Sequence, residues 1–257
     1  MQNNQGGTEL PQEMRISPRR YMNTGPQITE RLEKIFSVIG QQGVLRIDHA
    51  QCFLGRMTPD PGKMKQPGIL SLERTRKILR PWLKEEVISY RIFFNRQKGC
   101  IWLTPKGLKY ARLNPRLRYY EPSPSSLPHM YAVNEVRLLI EARCPEYTWR
   151  SEREIRAQQN ANAKDSTPPH VPDAELISAN GNSVIGIECE LTVRSEKRLE
   201  EIVCDLASNK RYSAIWYFSG EAVYTAVKKA VNKLPAEHRK RFVCYTLQGE
   251  PYTESGT

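Results

Sequence analysis

Pro115, Pro122, Pro124 and Pro128 fall within the seventeen residues 114–130 (NPRLRYYEPSPSSLPHM), together with Ser123, Ser125 and Ser126. A proline fixes its own φ, restricts the residue before it and offers no backbone N–H to a helix or a strand ladder. No regular element is expected to cross this stretch, so it reads as an interdomain linker. The 257-residue chain then divides into a 1–27 arm, a unit over 28–113, the 114–130 linker, a unit over 131–250 and a 251–257 tail. That length accommodates two small cores, and 39% hydrophobic residues are enough to fill them.

The charge divides at the same place. Residues 1–113 carry 20 Lys and Arg against 9 Asp and Glu, whereas 114–257 carry 19 against 19. All of the net +11 therefore lies in the first part, which points to a polyanionic partner there; the plainer alternative is a basic but merely solvated surface. No apolar run approaches the ~18–20 residues of a membrane span, and the polar start MQNNQGGTELPQEM lacks the apolar region of a secretory leader. Cysteines at 52, 100, 144, 189, 204 and 244 form no CxxC pair and no zinc-finger spacing. Single cysteines in apolar strings suit a reducing compartment, so a cytoplasmic protein without membrane contact is expected.

Within 28–113, Ile28, Leu32, Ile35, Phe36 and Ile39 recur at helical spacing and Gly40 or Gly43 ends the helix. A short second helix follows, with Asp48 as N-cap and Gly55 as stop. TPDPGKMKQPG reads as a loop. A third helix carries an apolar stripe of Leu72, Ile78, Leu79 and Leu83, interrupted by Pro81. VISYRIFF and CIWLT, separated by NRQKG, read as two β-strands of a hairpin, and PKGLKYARL closes the unit as a short helix. Three helices followed by a hairpin give the order of a winged helix-turn-helix. The WLTPKG string resembles the end of the wing in many bacterial winged-helix regulators. In that fold the third helix enters the DNA major groove, which makes Arg74, Arg76, Lys77 and Arg80 candidate DNA contacts. Arg96 and Lys98 on the hairpin tip would reach a neighbouring backbone or minor groove. The competing reading is solvated charge on an amphipathic helix.

From residue 131 the pattern becomes mixed α and β, in the order α-β-β-β-α-β-α-β. Val133, Val136, Leu139 and Ile140 form the inward face of the first helix, EYTWRSE is a strand, and REIRAQQNANAKDSTPP is a loop or frayed helix. HVPDAELIS and SVIGIECELTV are strands joined by the turn ANGN. Ser195 caps a helix with the stripe Leu199, Ile202, Val203 and Leu206. Side chains alternate across a strand, so Asp173 and Glu175 share one face and Glu188 and Glu190 share one face, while Ile185, Ile187, Cys189, Leu191 and Val193 point into the core. The hairpin brings carboxylates of both strands together. Clustered carboxylates repel, and a divalent cation between them, Mg²⁺ or Mn²⁺ by its preference for hard oxygen ligands, would relieve the repulsion.

A helix bearing Glu, then PD on a strand, then an apolar strand with an E-x-(K) pattern, resembles the PD-(D/E)XK nuclease superfamily. The whole chain resembles the replication-relaxation family of mobile-element proteins, in which a winged-helix half precedes His…VNEVR…PDA…IECELT…R. Here those strings are His129, 133–137, 172–174, 187–192 and Arg198, and the likeness spans about residues 28–220. The resemblance implies an α+β or α/β fold: an N-terminal winged helix-turn-helix followed by a nuclease-like mixed-sheet domain. It implies Asp173, Glu188 and the Cys189 carbonyl as metal ligands, and Glu135, Asp173, Glu188 and Glu190 as the catalytic set, with Glu135 as accessory acid. Glu190 stands where the pattern has Lys, which removes the ammonium that positions the attacking water; Lys197 or Arg198 could substitute.

Three functions follow from these readings. The first is a DNA-binding protein of a mobile element or plasmid, acting in replication, mobilisation or relaxation, with a nuclease-like domain that is degenerate. The second is a metal-dependent endonuclease using Mg²⁺ or Mn²⁺. The third is a winged-helix transcriptional regulator that dimerises through its second half. The expected partners are double-stranded DNA, other mobile-element or replication proteins, and a second copy of the chain.

Overall fold

The computed structural model describes residues 27–58, 64–66, 68–111, 113–159 and 170–252. The expected arm, apart from residue 27, lies outside them, as do residues 253–257 of the expected tail. The chain is mixed α and β, with a small antiparallel sheet in its first part and a five-stranded mixed sheet in its second.

The first part follows the expected order with two additions. Helix α1 (Glu30–Gln42) is capped by Thr29 and stopped by Gly43, whose φ of 79° suits only a residue without Cβ. Strand β1 (Leu45–Arg46) leads directly into α2 (Ile47–Arg56). The N-cap of α2 is Arg46, not Asp48; Asp48 lies in the first turn, and its carboxylate accepts from Arg46 at 2.7 Å and Lys98 at 3.0 Å. Strand β2 (Met64–Gln66) lies in the stretch expected as a loop and pairs with β3 (Ile69–Leu70), which follows just after it; residues 59–63 and 67 of that stretch lie outside the described residues. Helix α3 (Leu72–Lys84) is capped by Ser71 and contains Pro81. Its inward residues are Thr75, Leu79 and Trp82, while Leu72, expected inward, is exposed. Strands β4 (Ile88–Arg91) and β5 (Cys100–Leu103) form the expected hairpin, and β1 adds to it in the order β1-β5-β4. Helix α4 (Pro105–Leu108) ends this part. The core joins all three long helices, with Phe36 edge-on to Trp82 at 5.2 Å.

The second part is a three-layer arrangement. Helix α5 (Leu127–Arg143) starts inside the stretch expected to carry no regular element. Pro128 permits this because it stands in the first turn, where no intrahelical N–H bond is made. Strand β6 (Tyr147–Ser151), helix α6 (Glu152–Gln159), and strands β7 (Ala174–Ser178) and β8 (Val184–Glu190) follow. The rest are α7 (Glu196–Ser208), β9 (Ala214–Ser219), α8 (Glu221–Asn232), α9 (Ala236–Arg239) and β10 (Phe242–Thr246). The sheet order is β10-β9-β8-β7-β6, antiparallel across β6-β7-β8 and parallel across β8-β9-β10. Ile185, Ile187 and Cys189 of β8 face α5, whereas Val184 of the same strand packs with α7 and α8 on the opposite face. The strand ends at Glu190, so Leu191 is only half-buried and Val193 is exposed, contrary to the expected continuation. Of the expected tail, Tyr252 stacks on Tyr224 at 3.9 Å and donates to the Ser219 carbonyl.

The two parts share a buried polar seam. Gln42 at the end of α1 donates to Asn134 Oδ1 at 2.8 Å, and its own carbonyl accepts from Trp149 Nε1 at 3.1 Å and from Arg137 at 3.2 Å. Asn134 donates to the Val44 carbonyl at 2.9 Å, and Arg137 to Gln41 at 2.8 Å. The stretch expected as a free linker is itself packed: Leu117, Pro122 and Leu127 are buried, Tyr120 bonds Ser126 at 2.8 Å, and Arg153 donates to the Arg118 carbonyl. Asn134→Ala leaves the Gln42 side-chain N–H and the Val44 carbonyl without this partner and is expected to destabilise the fold by about 1–3 kcal/mol. Calorimetry should show both parts melting in one transition, and chains nicked near Ser123–Ser126 should elute as an intact complex; separate transitions or free fragments would refute the shared seam.

Candidate functional site

The carboxylates converge at one end of the β7–β8 pair. Ala174 pairs with Ile187 and Glu175 with Gly186, a register that sets Asp173 beside Glu188. By alternation along β8, Glu188 and Glu190 lie on the Val184 face, and β8 is covered on both sides, so both acids are buried. Asp173 accepts the Cys189 backbone N–H on Oδ2 at 2.8 Å and meets His129 Nε2 on Oδ1 at 3.0 Å. Glu188 Oε1 meets His170 Nε2 at 2.7 Å, and Glu190 is ion-paired with Arg194. His129 lies in the first turn of α5.

The electrostatics follow from crowding and burial. Burial pushes the Glu188 carboxyl well above its usual range, and Asp173, Glu152 and Glu190 push in the same direction. Burial lowers the His170 imidazole. Both shifts disfavour the charged forms of the His170–Glu188 pair. The hydrogen bond to Asp173 raises His129 to about 9, against burial. The stabilisation from this second pair is complete below the ordinary imidazole value of about 6.5 and is lost as pH rises through about 9. An NMR titration of His129 should give an apparent pKa near 9 that falls toward 6.5 in Asp173→Asn; an unchanged titration in that variant would refute the pairing.

Several expected residues stand elsewhere. Glu135 is not brought to the cluster. Val133, Val136 and Ile140 take the sheet-facing side of α5, which turns Glu135 toward α2, where it meets Arg46 at 2.9 Å and His49 at 3.5 Å. Glu175 shares the acid face but is closed by Arg211 in a bidentate pair at 2.8 and 2.9 Å, by Arg150 at 3.3 Å and by the Tyr212 hydroxyl at 3.3 Å. The Cys189 thiol points into the α5-facing core; it is the backbone N–H of this residue that touches Asp173. Arg194 is the cation beside Glu190, while Arg198 pairs with Glu201. The sequence pattern marks neither Glu152 nor Arg194 as a member of the site. Glu152 closes the run EYTWRSE, expected as a strand, yet heads α6, and Arg194 lies just beyond the end of a strand, where spacing does not indicate a neighbour.

These side chains do not fit a divalent cation as they stand. Among the described residues no set of three or more His, Cys, Asp and Glu side chains is arranged to hold a metal ion. Both Asp173 oxygens are already engaged, and the Glu188 carboxyl is held by an imidazole in an environment that favours its neutral form. Millimolar Mg²⁺ or Mn²⁺ is expected to leave the melting temperature unchanged. A rise that Asp173→Ala and Glu188→Ala each abolish would show instead that a cation displaces the imidazoles.

The basic surface expected on the third helix is present. Arg74, Arg76, Lys77 and Arg80 are exposed on α3, and none forms an ion pair with a described residue. Arg96 on the hairpin is exposed and adopts φ 63°, a left-handed backbone uncommon outside glycine. Lys98 is tied to Asp48, which leaves Arg96 as the freer of the two hairpin cations. No helix among the described residues is long and apolar enough to cross a membrane. No protein-family model, curated protein or solved structure matches this chain.

Proposed function

We propose that this protein binds duplex DNA through α3 and the β4–β5 hairpin, and that its second half is a nuclease-like fold that positions or assembles rather than cuts. The observation that carries this reading is the row of four exposed cations on α3, each without an acidic partner among the described residues. The order α1-β1-α2-α3-β4-β5, with β1 on the free side of β5, supports a winged helix-turn-helix; the β2–β3 pair is an insertion in that pattern. Phosphates would meet α3 and the hairpin, and base edges would meet the outward face of α3.

The antiparallel β6-β7-β8 arrangement after α5, with Asp173 beside Glu188, supports the nuclease-like reading of the second half. The closed carboxylates and the Glu190–Arg194 pair favour a degenerate site. A setting in mobile-element or plasmid replication, mobilisation or relaxation rests on the resemblance at 133–137, 172–174 and 187–192.

Binding to a short duplex should weaken steeply with salt. Replacing Arg74, Arg76, Lys77 and Arg80 together with Ala should flatten the slope of log K against log salt by about 0.9 for each phosphate that is no longer neutralised. Unchanged binding in that variant would overturn the reading. In the same preparations, cleavage of supercoiled DNA with Mg²⁺ that Asp173→Ala abolishes would replace the degenerate site by an endonuclease.

A further inference from the structure

Between α3 and the hairpin lies an open groove of about 430 Å³. Three of its lining residues, Leu72, Tyr90 and Ile92, are large apolar side chains left 38%, 43% and 55% exposed. Apolar side chains this exposed are unusual when they line one concavity. The charged lining is cationic, with Arg76, Arg80 and Lys98, the last paired with Asp48, and no acid lines the groove itself. Gln97 adds an amide that can both donate and accept.

The Tyr90 ring has a defined seat. It lies against Gly99, just ahead of β5, where a Cβ would collide with the ring carbons and the hydroxyl. Gly99 thus holds an aromatic face at the groove while Arg76 and Arg80 stand one helical turn apart on the facing wall.

We propose that this groove receives one unstacked base of a DNA strand, with the flanking phosphates on Arg76 and Arg80. The proposal rests on the DNA-binding reading of α3 and goes beyond it by naming distorted or partly unpaired DNA as the preferred substrate. A phosphate alone gains nothing from Leu72, Tyr90 and Ile92. A thymine methyl reached in an intact major groove is far smaller than 430 Å³. A base offers a flat apolar face for the ring and hydrogen-bonding edges for an amide, and its strand carries the negative charge that the rim complements.

The test compares three 20-base-pair probes by fluorescence anisotropy with the full chain: a matched duplex, the same duplex with one extra unpaired base, and that bulged duplex with 2-aminopurine as the unpaired base. The bulged duplex should bind about ten-fold more tightly than the matched one, and the 2-aminopurine emission should change on binding. Tyr90→Ala and Gly99→Ala should each bring the ratio of bulged to matched affinity close to one, a change on the scale of the stacking contribution of one base. Equal affinity for matched and bulged duplexes, or a preference that survives both variants, overturns the groove proposal while the matched-duplex binding upholds the α3 reading. No binding to any probe at low salt overturns both. A change of oligomeric state in Tyr90→Ala, seen by sedimentation without loss of the bulge preference, assigns the groove to a second copy and overturns the base.

Discussion

The hydrogen-bonded seam around Gln42 is the constraint on which the rest of the molecule depends. Its amide is nearly fully buried and uses both ends: the nitrogen donates to Asn134, and the oxygen accepts from Trp149 and Arg137. A buried amide left unpaired is costly, so these groups specify one relative placement of the two parts more sharply than apolar contact would. Arg137 reinforces it by spreading its guanidinium over Phe53 of the first part and Trp149 of the second, at 5.5 and 5.6 Å. Helix α1 also carries Phe36, whose edge meets Trp82 of α3. One helix therefore anchors both the seam and the helix that bears the exposed cations.

The carboxylate cluster shows how strand alternation and helix phase divide the same residues. Alternation places Glu188 and Glu190 on one face of β8, and the antiparallel register sets Asp173 beside Glu188. Both inferences depend only on period two and a short turn, and both are legible in PDAE, ANGN and IECE. The fate of each carboxylate is not legible, because it is decided by partners distant in sequence: His129 is 44 residues from Asp173, and Arg211 is 36 from Glu175. Glu135 departs from expectation for a related reason. The pattern of α5 identifies its apolar side but not which neighbour stands beside its polar one.

The same division holds in the first part. Ser71, Thr29 and Gly43 mark helix ends through local chemistry, and the β4–β5 hairpin follows from two β-rich runs around a turn. Strand β1 has only two residues, and its existence depends on pairing with Ile101 and Cys100, more than fifty positions away. Leu72 falls near the stripe of α3 and so resembles a core residue. It is exposed because it begins the helix, ahead of the turn that Thr75 buries. The prolines of 114–130 do break the periodicity, but a lack of regular structure does not prevent packing: Leu117 and Pro122 are buried outside any helix or strand.

The seam also fixes how the two parts would share a ligand. Two modules on a free tether bind a second contact with an effective concentration set by tether length, and each contact carries its own loss of freedom. Two parts locked through Gln42, Asn134 and Arg137 lose translational and rotational freedom once. Whatever α3 grips is then held at one fixed distance and one fixed angle from the end of the β7–β8 pair. The body acts as a caliper whose jaws cannot be reset.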